Sequence, residues 1–298
     1  MTAGPVWEAG EKTHRDENFP VASHLVSKKH RPAILAFYRF ARAADDVADD
    51  PKLSEGEKIA ALDRFEDTLL GKTDAIEEAL PLRAAIAERR LSPKHGQDLL
   101  VAFRMDASKH RYADWNALMH YCSYSAMPVG RFVLDVHGES RATWPANDAL
   151  CAALQIINHL QDCGADYRRL DRVYIPLDRL AARNIPVEDL GAQKASPGLL
   201  AAIHELAAQT QELLGHASLS RGIKDMRLSL EVAAIERLAR KLVHMLLVRD
   251  PLSQPVHLSK LGFAYNLIMA ASLTFGRRAL AIGKAPAALR GIDDQPSA

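Results

Sequence analysis

The feature that most constrains this chain is a spacing. Apolar residues return every three or four positions along nearly its whole length, and alternating β-branched stretches are absent. That period suits helices packed by one face and does not suit strands. The spacing predicts helices over 21–29, 31–50, 54–71, 74–89, 92–107, 114–137, 145–167, 176–182, 195–218, 223–250 and 255–284. Proline and glycine punctuate them: Pro32 near one start, Pro51 and Gly71 after two stops, then Pro93, Gly138 with Pro145, Pro176, Pro186, Pro251 and Pro255. No Gly/Ser-rich linker and no fixed-period repeat divides the chain. The expectation is one all-α domain of about ten helices over 1–284, with a tail at 285–298 that frays.

The bulk numbers narrow the function classes. With 298 residues the chain can bury a sizeable core. Its net charge of +1 gives no electrostatic case for nucleic acid. Cys122, Cys151 and Cys163 are odd in number and lack metal-site spacing, so they read as thiols in a reducing compartment. The N-terminus lacks a basic region followed by an apolar core and does not read as a secretory signal. The longest apolar run, Leu261 to Phe275, is interrupted by Asn266 and reads as a buried helix rather than a membrane span.

Against this bland background the stretch "FARAADDVADD", Phe40 to Asp50, sets four acids within six positions. On one helix Tyr38, Arg42, Asp45, Asp46 and Asp49 share a face at spacings of three and four. Asp45 and Asp49 point the same way, one turn apart. Clustered carboxylates repel, and acids at a helix C-terminus oppose its dipole. Such a cluster calls for positive charge, and hard oxygens one turn apart suit Mg²⁺. Taken alone, it equally suits a solvated helix end.

A second helix repeats the idea. In "LQIINHLQDCGADYRRLDRVYIP", Leu154 to Pro176, Gln155, Asn158, Asp162 and Asp166 follow one another at three, four and four. Gln161 lies beside this stripe. Arg168, Arg169 and Arg172 follow, then Tyr174. The order is oxygen donors for metal, then guanidinium groups for phosphate. Two such helices face to face could clamp metal ions and hold a diphosphate, with apolar walls sheltering a carbocation from water.

These two stretches resemble the squalene/phytoene synthase family of all-α isoprenoid synthases, and the likeness covers most of 17–280. Within the family, "ENFPVAS" at Glu17 to Ser23, "YCSYSAMPVGR" at Tyr121 to Arg131, and Gln161 before Asp162 are similar to the bacterial hydroxysqualene synthases of hopanoid pathways. The resemblance implies a class I isoprenoid synthase fold around a central apolar cavity. It implies two or three Mg²⁺ ions on Asp45, Asp46 and Asp49 and, opposite, on Asn158, Asp162 and Asp166. Asn18, Tyr38, Arg42, Ala126, Gln155, Asn158, Gln161, Arg172 and Tyr174 would meet the substrate, with Tyr121 and Ala126 as cavity wall. Tyr38, Arg42, Tyr121, Gln161 and Arg172 would carry catalysis.

The implied reaction is Mg²⁺-dependent conversion of presqualene diphosphate to hydroxysqualene, without NADPH. Two other readings stay open: condensation of two farnesyl diphosphates to presqualene diphosphate or squalene, and a non-catalytic helical assembly factor. The resemblance also implies a cytoplasmic protein in peripheral contact with the membrane. It links the chain to a presqualene diphosphate synthase and a hydroxysqualene-reducing enzyme. Asp171 departs from the pattern, which commonly has Gly there; Asp tolerates positive φ better than most residues. Asp50 receives no role, and His159 reads as a packing histidine rather than a ligand.

Overall fold

The structure, a computed structural model, describes residues 27–258. The expected helices at 21–29 and 255–284, the tail, and Asn18 lie wholly or largely outside the described residues. Among the described residues the helices are α1 (Arg31–Asp49), α2 (Glu55–Leu69), α3 (Leu80–Arg89), α4 (Lys94–Ser108), α5 (Trp115–Ser125) and α6 (Met127–His137). After them come α7 (Trp144–Leu170), α8 (Leu177–Ala181), α9 (Pro197–Gly215), α10 (Leu219–Gly222) and α11 (Met226–Leu246). One isolated parallel bridge, Arg111 to Val173, is the only β pairing among these residues. No helix of the described residues is long and apolar enough to cross a membrane.

Local chemistry sets several boundaries. Ser54 and Glu57 form a reciprocal capping box that starts α2. Pro32, Pro128 and Pro145 stand in the first turns of α1, α6 and α7, where the missing N–H costs nothing. Pro128 also corrects one expectation. The spacing predicts a single helix over 114–137, but the chain breaks at Ala126, whose φ is −122° and ψ −46°. Apolar periodicity runs straight through the break, and the proline ring decides. Similarly, the predicted helix at 74–89 opens as a short 3-10 turn, Glu77–Ala79, before α3.

Two apolar clusters form the core. Phe37, Phe40, Leu62, Phe65, Leu82 and Leu100 join α1 through α4. Leu118, Ile156, Ile157, Leu206, Leu242 and Leu246 join α5, α7, α9 and α11. Between them, a cavity of about 310 Å³ is bordered by α1, α6, α7, α10 and α11. Its wall includes Phe37, Tyr38, Ala41, Val133, Leu154 and Val232. Gly130 lets α6 approach α7 here, because a Cβ at that position would stand 2.0 Å from Asn147 Oδ1.

Asp171 ends α7 in the left-handed conformation, with φ 50° and ψ 35°. Its carboxylate pairs with Arg111 at 2.6 Å, which ties the helix end to the segment before α5. Left-handed backbone costs an ordinary side chain about 1–2 kcal/mol, and Asp or Gly less. Asp171→Gly should therefore keep stability within about 1 kcal/mol of wild type, and Asp171→Ala should lose about 1 kcal/mol more. Urea denaturation of the two variants checks the difference; equal midpoints would refute it.

Candidate active site

The cavity occupies the N-terminal stretches of both α1 and α7. Ile34, Phe37, Tyr38 and Ala41 border it on α1; Asn147, Leu150, Cys151 and Leu154 border it on α7. Both helices then run the same way out of it. α1 carries Arg42, Asp45, Asp46 and Asp49 onward, and α7 carries Gln155, Asn158, Asp162 and Asp166. The eight helical steps from Ala41 to Asp49 advance roughly 12 Å. One space is thus apolar at one end and acidic at the other.

The acidic ends come together. Arg172, just beyond α7, is buried and donates from Nη1 to Asp49 on α1 at 2.6 Å. Arg42 bonds Asp45 at 2.9 Å and Asp46 at 2.7 Å. Part of the positive charge that the acid run demanded is therefore guanidinium from this same chain. It is not sufficient. Burial and then the neighbouring Asp49 push the Asp45 carboxyl up to about 7, against the pull of Arg42. Burial and then Asp162 push Asp166 up to about 7, with Asp49 across the gap adding to the rise.

Among the described residues no three His, Cys, Asp or Glu side chains are gathered closely enough to hold an ion. The donor chemistry nonetheless fits a hard divalent cation: oxygens only, crowded, and short of counter-charge. Arg42 and Arg172 hold three of the acids, so a cation would compete with these pairs.

The remaining candidates separate. Tyr38 borders the cavity. Tyr121 and Ala126 are buried and are not among the residues bordering it. Gln161 is buried too, and its amide donates to the main-chain oxygen of Val256. Tyr174 is buried and stacks on His159, ring centres 3.4 Å apart. Burial and then Arg172 hold His159 down to about 3, so it is neutral. Asp50 caps the turn after α1, accepting from the Lys52 amide at 2.8 Å.

One acid was missed by sequence reasoning. Asp106 on α4 is buried and accepts the Tyr121 hydroxyl at 2.9 Å and the Tyr174 hydroxyl at 3.5 Å. Burial lifts it to about 7 against the pull of Arg172. A signal existed: Leu99, Ala102, Phe103 and Asp106 share a helix face, so the acid takes a core position.

Residues 12–262 match the family model described as squalene/phytoene synthase. The chain belongs to the squalene/phytoene synthase family. A relative in Rhodopseudomonas palustris, named hydroxysqualene synthase, is 54% identical over 96% of this chain and 97% of its own. A hydroxysqualene synthase of Sinorhizobium fredii is 52% identical over 95% of this chain and 97% of its own. The crystal structure of squalene synthase HpnC from Alicyclobacillus acidocaldarius superposes with a TM-score of 0.67 at 29% identity, covering 75% of this chain and 85% of that one. A squalene/phytoene synthase of this kind has the all-α isoprenoid synthase fold expected from the sequence.

Proposed function

We propose that the chain converts presqualene diphosphate to hydroxysqualene and diphosphate. The observation that carries this reading is identity above half, over nearly the full length, to relatives named hydroxysqualene synthase. The joining of an apolar cavity to an acidic end along α1 and α7 supports it physically.

In this reading Arg42 and Arg172 offer guanidinium forks to the diphosphate, with Tyr38, Gln155 and Tyr174 around it. Asp45, Asp46 and Asp49 on one helix, and Asn158, Asp162 and Asp166 on the other, would hold Mg²⁺. Bound there, Mg²⁺ supplies electron withdrawal from the leaving group. The substrate C–O bond breaks and diphosphate leaves with the electron pair. The cyclopropylcarbinyl cation that remains lies against Phe37, Val133, Leu154 and Val232, which keep stray water from it. Its ring opens, a water oxygen bonds to the cationic carbon, and that water gives up a proton. Tyr121, Ala126 and Gln161 pack behind the cavity lining, and peripheral membrane contact delivers and removes the hydrocarbon.

Incubation of the purified protein with presqualene diphosphate in ¹⁸O-labelled water tests this. Hydroxysqualene carrying the label, with or without NADPH, is the expected product, because the substrate's own oxygen departs in diphosphate. Squalene formed only when NADPH is supplied, or efficient consumption of farnesyl diphosphate alone, would place the chain elsewhere in the family.

A further inference from the structure

A buried carboxylate is costly unless its oxygens are bonded. Asp106 meets that condition with hydroxyls from two other parts of the fold. One carboxylate oxygen takes the Tyr121 hydroxyl from α5, and the other takes the Tyr174 hydroxyl from the segment after α7. Its main-chain oxygen accepts from Arg172 Nη2 at 3.1 Å, while Arg172 Nη1 reaches Asp49. The rings of Tyr112, Tyr121 and Tyr174 lie 5.2 to 5.6 Å apart around it. α4 itself lacks an acid stripe and packs against α1, α2, α5 and α6.

We propose that Asp106 is a positioning residue for the acidic end of the site. Its carboxylate fixes the hydroxyl of Tyr121, and its main chain fixes the guanidinium of Arg172 against Asp49. α4 thereby joins α5 and the segment after α7 to the acids of α1. The inference rests on the reading of Tyr121 and Arg172 as site residues. It adds a residue outside both acid-rich helices that sets their geometry. Neither Asp106 nor Tyr121 borders the apolar cavity, so the effect falls on turnover and not on binding of the hydrocarbon.

A double-mutant cycle of Asp106→Asn with Tyr121→Phe tests it, read as Mg²⁺-dependent diphosphate release. Each single variant should lower kcat by about tenfold or more and leave KM within about twofold, and the double variant should be no slower than the worse single. A residue that merely fills the core would give multiplying losses and a lower melting temperature. Multiplying losses, or wild-type kcat in Asp106→Asn, would overturn the proposal. If Asp106→Asn does not yield folded protein, Asp106→Ser, which leaves room for a water, takes its place in the cycle. The cycle is run on whichever diphosphate the wild type consumes. Farnesyl diphosphate consumption would defeat the substrate reading while the cycle still decides Asp106.

Discussion

Asp49→Asn and Asp162→Asn are each expected to lower turnover at saturating substrate by roughly a thousandfold. Both keep side-chain shape and remove one charge from a crowded oxygen set. Asp49 stands on α1 against Arg172, and Asp162 stands on α7 beside Asp166. The two variants should differ in stability. Asp162 is exposed, so its loss should stay within about 0.5 kcal/mol of wild type. Asp49 shares a 2.6 Å ion pair, and its replacement leaves Arg172 with a weaker partner. Steady-state rates across a Mg²⁺ series, with thermal melts in parallel, make the check. Near wild-type rates at low Mg²⁺ in either variant would remove that residue from the metal set.

Arg172→Ala should have the other large effect, and on two quantities together. The Arg172 side chain is 8% exposed and bonds Asp49, the carbonyl of Ala48 and the carbonyl of Asp106. Truncation strands those acceptors, and breaking a buried ion pair typically costs about 3–5 kcal/mol. Asp49 is 34% exposed and can recover water, which places the loss near about 3 kcal/mol. Binding of inorganic diphosphate in Mg²⁺ should weaken by about tenfold or more as a guanidinium fork is lost. Arg172→Lys should recover part of the stability and little of the diphosphate affinity, because an ammonium cannot make two parallel bonds. Urea denaturation and calorimetric titration separate these effects. An Arg172→Ala protein with the wild-type midpoint and affinity would refute both.

What the sequence made legible was whatever one helix encodes by itself. Asp45 and Asp49, or Asn158, Asp162 and Asp166, share a face because spacings of three and four fix direction. Arg42 could be read onto Asp45 and Asp46 by the same rule, and the structure pairs them. Across helices the rule is silent. Arg172 and Asp49 stand 123 residues apart, and Tyr121 and Asp106 belong to different helices. Their pairing depends on how α4, α5 and α7 pack, which no local period records. Gln161 shows the same limit: its bond to the Val256 carbonyl, across 95 residues, is beyond any local period. The break at Ala126 was legible in Pro128, but the apolar period around it was the louder signal.

The shared direction of α1 and α7 bears on the sequence of events at the mouth of the site. The C-terminal end of each helix carries about half a negative charge from its aligned peptide dipoles, and both ends lie with the acids. A bare diphosphate arriving there meets net repulsion from Asp45, Asp46, Asp49, Asp162 and Asp166, which Arg42 and Arg172 only partly offset. On the reading proposed above, cations would arrive before the diphosphate or bound to it, and the released diphosphate would depart in their company. That order of addition and release would follow in part from which way the two helices point.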